Sequence, residues 1–279
     1  IYKSSMQQPE KKSFNQIKIN SQYSICEGAL KIENLKEYCK KNKIQSVGLS
    51  DTYNLSGALE FSENISSVGT QPIIGSQVQF KFKNTYGLIP LIAKNYNGYK
   101  NIIELSSKAY LENDDNDQPH CSIEDLTKYS DGIIVLSGAI NNLIGNMFNK
   151  GLFEELGELI TILNNNFKEN FYLEIQRHGD KNEKEFEFFN LNVSKKYQIP
   201  IIATNEVYYL DKEMHEAHDA LMCIGQKTYI NDQKRLKLTN NHYLKSSAEM
   251  DEIFKDLPEA LENNYNLPFR CNFRPIPSK

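Results

Sequence analysis

Across residues 14–210 the sequence alternates short apolar runs with longer stretches whose apolar residues recur every three or four positions. Runs at 17–19, 46–50, 72–82, 88–93, 133–136, 171–175 and 201–204 read as strands. Two of them, IIVL and IPIIAT, are apolar on both faces, as parallel strands covered by helices are. Helical periodicity marks 32–41, 56–68, 98–110, 152–165 and 183–197, and in the second of these Leu55, Leu59, Phe61 and Ile65 fall near one face. The acidic, Asn-rich stretch ENDDNDQPH predicts an exposed loop. Strand–helix alternation over this length predicts βα units. Periodicity leaves open whether they close into an α/β barrel or form a doubly wound open sheet. From 211 onward helix dominates, in MHEAHDALMCIGQ, SSAEMDEIF and PEALENNYNL. Ser246 and Ser247 are candidate N-caps, and Glu249 and Glu252 suit a first helical turn.

Composition changes this picture little. The 279 residues are 39% hydrophobic and 24% charged, with a net charge of -4, which gives no reason to expect a strong nonspecific grip on nucleic acid. The five cysteines (Cys26, Cys39, Cys121, Cys223, Cys271) are odd in number and never spaced C-x-x-C, which argues for reduced thiols over a disulfide framework. No run approaches the roughly 18 apolar residues that span a bilayer. The beginning, IYKSSMQQPEKK, has no apolar signal core and reads as a disordered lead-in over 1–13. The expectation is a cytoplasmic protein that does not enter a membrane.

In parallel α/β folds chemistry gathers at the carboxyl ends of the strands. Here those ends read KINSQYS, GLSDTYN, GSQVQF, LSGAI, EIQRHG and ATNEVYY, which are polar and without a clear metal cluster. Of the five histidines (His120, His178, His215, His218, His242) only His178 follows a strand. His215 and His218 are three apart, where the zincin pair needs four. Phosphate-binding glycine loops and a G-x-S-x-G elbow are absent.

The same strand ends, taken in order, resemble the motifs of the polymerase-and-histidinol-phosphatase (PHP) family. They are most similar to the version that opens bacterial DNA polymerase III alpha subunits. INSQYSICEGALKIENL resembles that opening motif, and VGLSDTYNLSGALEF the second. QPIIGSQVQF, IAKNYNGYKNIIELSSKAY, GIIVLSGAI, FYLEIQRHG, IPIIATNEVYYL, EAHDALMCI and LPEALEN follow in the family's order, so the likeness runs over roughly 14–272. It implies a distorted (β/α)7 barrel to about residue 210 with a helical C-terminal extension. It further implies that 273–279 begin a connection to a polymerase core whose palm holds magnesium.

Departures from the family's ligand pattern are extensive. The opening H-x-H is Lys18 and Asn20, and the histidine after the second motif's aspartate is Thr52. The third motif's glutamate is Gln77, and further ligand positions are Leu88 and Ala139. The final Asp and His are Glu206 and Tyr208. Only Glu27 and Glu206 keep a carboxylate among these positions. The resemblance therefore implies a domain with no metal, no cofactor and no activity of its own. In this reading Lys18 takes over the charge-neutralising part of the ion, and Asp51, Arg177 and His178 form a residual polar pocket. Implied partners are the palm and thumb of the same polymerase and a proofreading exonuclease subunit, with DNA bound mainly by the polymerase core. The competing expectation is a divergent metal-dependent phosphoesterase using Glu27, Asp51, His178 and Glu206.

Overall fold

The computed structural model describes residues 12–113 and 118–277. Its elements, in chain order, are β1 (Gln16–Ile19), α1 (Ile32–Asn42), β2 (Ser46–Thr52), α2 (Ala58–Ser66), β3 (Gln71–Phe82), β4 (Thr85–Ala93) and α3 (Tyr96–Leu111). There follow β5 (Cys121–Ser122), α4 (Ile123–Lys128), β6 (Ile133–Leu136), α5 (Leu143–Asn149), α6 (Phe153–Phe167), β7 (Phe171–Ile175) and α7 (Glu183–Tyr197). The chain ends with β8 (Ile201–Ala203), β9 (Glu206–Val207), α8 (His215–Gln226), α9 (Ser247–Ile253) and α10 (Pro258–Asn266).

The strands form one curled mixed sheet in the order β8-β7-β6-β4-β3-β2-β1-β9, with β5 beside β3. The two ends of that path are consecutive pieces of one segment. Residues 201–203 pair with β7, and residues 206–207 pair with β1. The sheet thus bends round until its edges meet, which resolves the choice between barrel and open sheet. The barrel is distorted because only Lys83 and Asn84 separate β3 from β4. Two residues can join antiparallel strands but cannot make a crossover. Lys83 turns the corner with a left-handed φ of 51°, and β4 runs antiparallel to both β3 and β6.

The large apolar core lies between the sheet and its helices. A second cluster fills the barrel's interior at one end, from Ile17, Ile73, Ile92, Ile134, Tyr172 and Ile202, and is plugged by Leu267 and Cys271 from the extension. Above that apolar layer the interior turns polar. Asn264 of α10 fastens the extension to β8 and to Asn15, the residue before β1. Its Oδ1 accepts from the Asn15 amide at 2.8 Å, and its Nδ2 donates to the carbonyls of Asn15 and Ala203 at 2.9 and 3.0 Å.

Some local readings needed revision. Leu59 is 43% exposed, and Ala58, Phe61, Ser62 and Ile65 form the buried face of α2. Ser246 caps α9 and Glu249 completes the capping box, which leaves Glu252 one turn further along. The five cysteines are free thiols. Residues 114–117 of the acidic loop, and 1–11 of the lead-in, lie outside the described residues.

Truncating the plug tests whether the extension belongs to the barrel's core. Leu267→Ala removes a side chain with no exposure and should cost about 2–5 kcal/mol in urea unfolding. Leu111→Ala, at an 81% exposed position, should shift stability by less than about 0.5 kcal/mol.

Candidate functional site

The polar layer is built around Lys18, whose side chain is 1% exposed. The register of β1 against β2 advances three residues on one strand for two on the other between Gln16 and Ile19. This bulge re-aims the side chains. Lys18 Nζ lies 2.9 Å from Glu206 Oε2 and 3.1 Å from Glu174 Oε1, so it bridges β9 and β7 across the interior. Burial on its own would lower the lysine's pKa, but Glu174 and Glu206 together outweigh it and raise the value above 10.5. Burial likewise pushes Glu206 up, whereas the Lys18 charge and the donors around the carboxylate bring it down to about 2.

Each carboxylate in this layer already has protein donors. Glu206 accepts from Lys18, from Gln77 Nε2 at 2.6 Å, from Asn20 Nδ2 at 3.2 Å and from Gln176 Nε2 at 3.4 Å. That meets the roughly four acceptor sites of an ionised carboxylate. Glu174 accepts from Lys18, from Gln176 at 2.6 Å and from the Thr204 hydroxyl. Asp51 is spent on the turn after β1, accepting from the Ser21 amide and hydroxyl at 2.6 and 2.8 Å and from the Ser24 hydroxyl at 2.7 Å. Gly28 closes that turn tightly, since a Cβ there would fall 1.9 Å from the Ser21 carbonyl oxygen. With Lys18 at the centre and the acceptors satisfied, these side chains do not fit a metal.

The remaining ligand-position residues border this network or lie outside it. Thr52 reaches Asn20 Oδ1 at 3.5 Å and Leu88 pairs with Gln79 in the β3–β4 hairpin. Ala139 bonds through its backbone to Asn142, whose amide donates to Gln77. Tyr208 lies against the rings of His218 and His242. Glu27 is partly exposed, and its pKa is raised chiefly by burial, with the Glu206 and Asp51 charges adding to it.

The residual pocket of Asp51, Arg177 and His178 does not assemble. Arg177 faces outward and grips Glu187 of α7 through Nε and Nη2 at 2.9 and 2.6 Å. It also grips Asp256 beyond α9 through Nη1 and Nη2 at 2.6 and 2.9 Å, with its guanidinium over the Phe254 ring. A cavity of about 580 Å³ lies on that outer side, lined by Arg177, Asp180, Phe188 and Asp256 and not by the Lys18 network. His178 alone touches the network, as its Nε2 accepts from the Glu206 amide at 3.2 Å.

Sequence reasoning missed a group that the fold brings together around His178. His178, Asp180 and His242 place one ligand atom each within 4.8 Å of one another. The two imidazoles are stacked, however, with centroids 3.9 Å apart and planes 5° from parallel. An imidazole binds a metal in its own plane, along the nitrogen lone pair, and parallel planes do not meet. His242 is also committed, with Nδ1 3.2 Å from the Glu206 carbonyl and Nε2 3.1 Å from Asp180 Oδ2. The stack tethers the extension to the barrel. Lys245 joins it, bonded to Asn205 Oδ1 at 3.0 Å and to the Asn241 carbonyl, and burial lowers its pKa to about 8. His215 and His218 bind separate carbonyls, of Leu238 and Glu27.

Glu174 and Gln176 carried a signal in the sequence. They alternate with Leu173 and Ile175 along a strand, which puts two polar side chains on the face opposite an apolar one.

Residues 16–178 match the family model of the PHP domain, and the chain belongs to that family. Relatives include the DNA polymerase III subunit alpha of Caulobacter vibrioides, 32% identical over 277 residues, covering 96% of this chain and 24% of that protein. The subunit of Borreliella burgdorferi is 36% identical over 272 residues, covering 93% and 24%. That of Rickettsia prowazekii is 36% identical over 272 residues, covering 97% and 23%. The chain therefore spans about a quarter of the length of these curated relatives. Among solved structures, an inferred metal-dependent phosphoesterase of Bifidobacterium adolescentis aligns with a TM-score of 0.46 at 12% identity, covering 69% of this chain and 86% of that one.

Removing the ammonium tests the network. Lys18→Met should destabilise the fold by about 3–5 kcal/mol, because two buried carboxylates lose their counter-charge. The triple variant Lys18→Met, Glu174→Gln, Glu206→Gln should recover most of that in chemical denaturation. In the unaltered chain Glu206 has a depressed pKa in the fold, so its contribution is complete above the unfolded value of roughly 4.3. That contribution is lost as pH falls toward about 2. Stability measured from pH 5 to 2 should therefore decline less steeply in a Glu206→Gln variant.

Proposed function

We propose that this chain is the N-terminal PHP region of a bacterial DNA polymerase III alpha subunit and serves it as a scaffold with no catalysis of its own. The observation that carries this reading is the ammonium of Lys18 seated between Glu174 and Glu206, where the family's pattern would gather metal ligands. A single cation fixed to β1 can hold two interior carboxylates together without the open coordination positions that hydrolysis requires. Template-directed nucleotidyl transfer, with its two magnesium ions, would then belong to a palm outside these residues. The region would pack against that palm and the thumb in the cytoplasm, leave most DNA contacts to the polymerase core, and offer a docking surface to a proofreading exonuclease subunit.

Two measurements test the proposal. Elemental analysis of protein purified without chelator should find well under one zinc, manganese or iron per chain. Near-stoichiometric metal together with hydrolysis of p-nitrophenyl phosphate would favour the phosphoesterase reading, with Glu27, Asp51, His178 and Glu206 as the groups to mutate. Sizing chromatography with the cognate exonuclease subunit should give co-elution, and separate peaks at micromolar concentrations would remove the docking role.

A further inference from the structure

Helix α8 buries His218, Met222 and Cys223 against the barrel and turns Ile224 outward, 70% exposed. The chain then reverses at Lys227, in left-handed conformation with φ 53°, and runs back beside the helix. Side chains fix this return. Gln226 donates to the Leu236 carbonyl at 3.1 Å and accepts from its amide at 2.9 Å. Arg235 grips Asp219 of α8 at 2.6 and 2.7 Å and donates to the Ile230 carbonyl. The loop is thus held in shape while Tyr229 (86% exposed), Ile230 (55%) and Leu236 (47%) face outward. On the other side Cys26 packs on Gly225, where an added Cβ would meet the cysteine's at 2.6 Å. This brings Ile25, 74% exposed, to the same edge.

Exposed apolar side chains scattered singly are ordinary, but a group of five on a clamped platform is not. Lys227, Lys234 and Lys237 are exposed on the same loop, and the ion pairs among the described residues leave them unengaged. Arg235 already neutralises Asp219, so Asp232 is the one acid left in the loop. The result is an apolar centre with a cationic rim in a chain whose net charge is -4, and apolar centres with polar rims mark protein interfaces.

We propose that this face docks an acidic, amphipathic segment of a partner polypeptide. Its apolar residues cover Ile224, Tyr229 and Ile230 while its carboxylates meet Lys227, Lys234 and Lys237. Nucleic acid would use the same lysines, but it would leave Ile25, Ile224 and Ile230 unpaired and find one ring, Tyr229, on which to stack. A second copy of this chain would set lysine against lysine.

The test uses p-benzoylphenylalanine in place of Tyr229 in the protein expressed from its own gene, irradiated in cells. The expected product is an adduct with a polypeptide segment that is rich in Asp or Glu and interspersed with apolar residues. The double variant Lys234→Glu, Lys237→Glu should cut its yield at least tenfold without moving the melting temperature, and Ile224→Ser should weaken it as well. The idea is overturned by an adduct with DNA, by a yield indifferent to the charge reversal, or by no adduct above that from the same cross-linker at Lys40.

Discussion

One buried ammonium sets the terms for the rest of this molecule. Lys18 is buried inside a closed sheet, away from bulk solvent, and two carboxylates converge on it, from β7 and from β9 at one end of the sheet path. Dehydrating three ions is costly, and their mutual attraction offsets that cost only when the geometry is good and the spare lone pairs are satisfied. The amides of Asn20, Gln77 and Gln176 and the hydroxyl of Thr204 meet that second condition. One positive charge against two negative ones leaves a negative excess spread over neutral donors. Lys18, Asn20 and Gln77 act together as one set of donors around Glu206.

The helical extension completes the barrel from two directions. At the closed end Leu267 and Cys271 join the interior apolar layer, and Asn264 ties α10 to Asn15, just before β1, and to β8. At the open end His242 stacks on His178 and hydrogen-bonds the backbone of Glu206, so a residue far along the chain steadies a member of the Lys18 network. Arg177 adds an outer clamp between α7 and the turn after α9. Arg177 and His178, which looked like pocket residues in the sequence, are joints between barrel and extension in the folded chain.

Strands and long helices were readable because their periodicities are local. The strands 133–136 and 171–175 and the helix 183–197 fall on the boundaries read from the pattern. The direction of β4 was readable only from the shortness of its turn, and β5, α4 and α5 are too short to declare a period. Lys18, Asn20, Gln77 and Glu206 could be singled out through family motifs, whereas Glu174 shows only as a polar position in strand alternation, and its part comes from facing Lys18 across the sheet's closure. His178 and His242 are 64 positions apart, and no spacing rule links them. Arg177 shows the reverse error: a motif neighbour of site residues whose side chain turns outward to Glu187 and Asp256.

The closure through residues 201–207 has a bearing on how the chain acquires its shape. β1 is made first, but its outer partner, β9, is among the last pieces of the barrel to be synthesised. Until then the ring is a strip with two bare hydrogen-bonding margins, at β1 and at β7, and contacts this remote in sequence form slowly. A nascent chain thus passes through a stage in which unpaired backbone invites foreign strands. Because a single short segment seals both margins, that stage ends in one step.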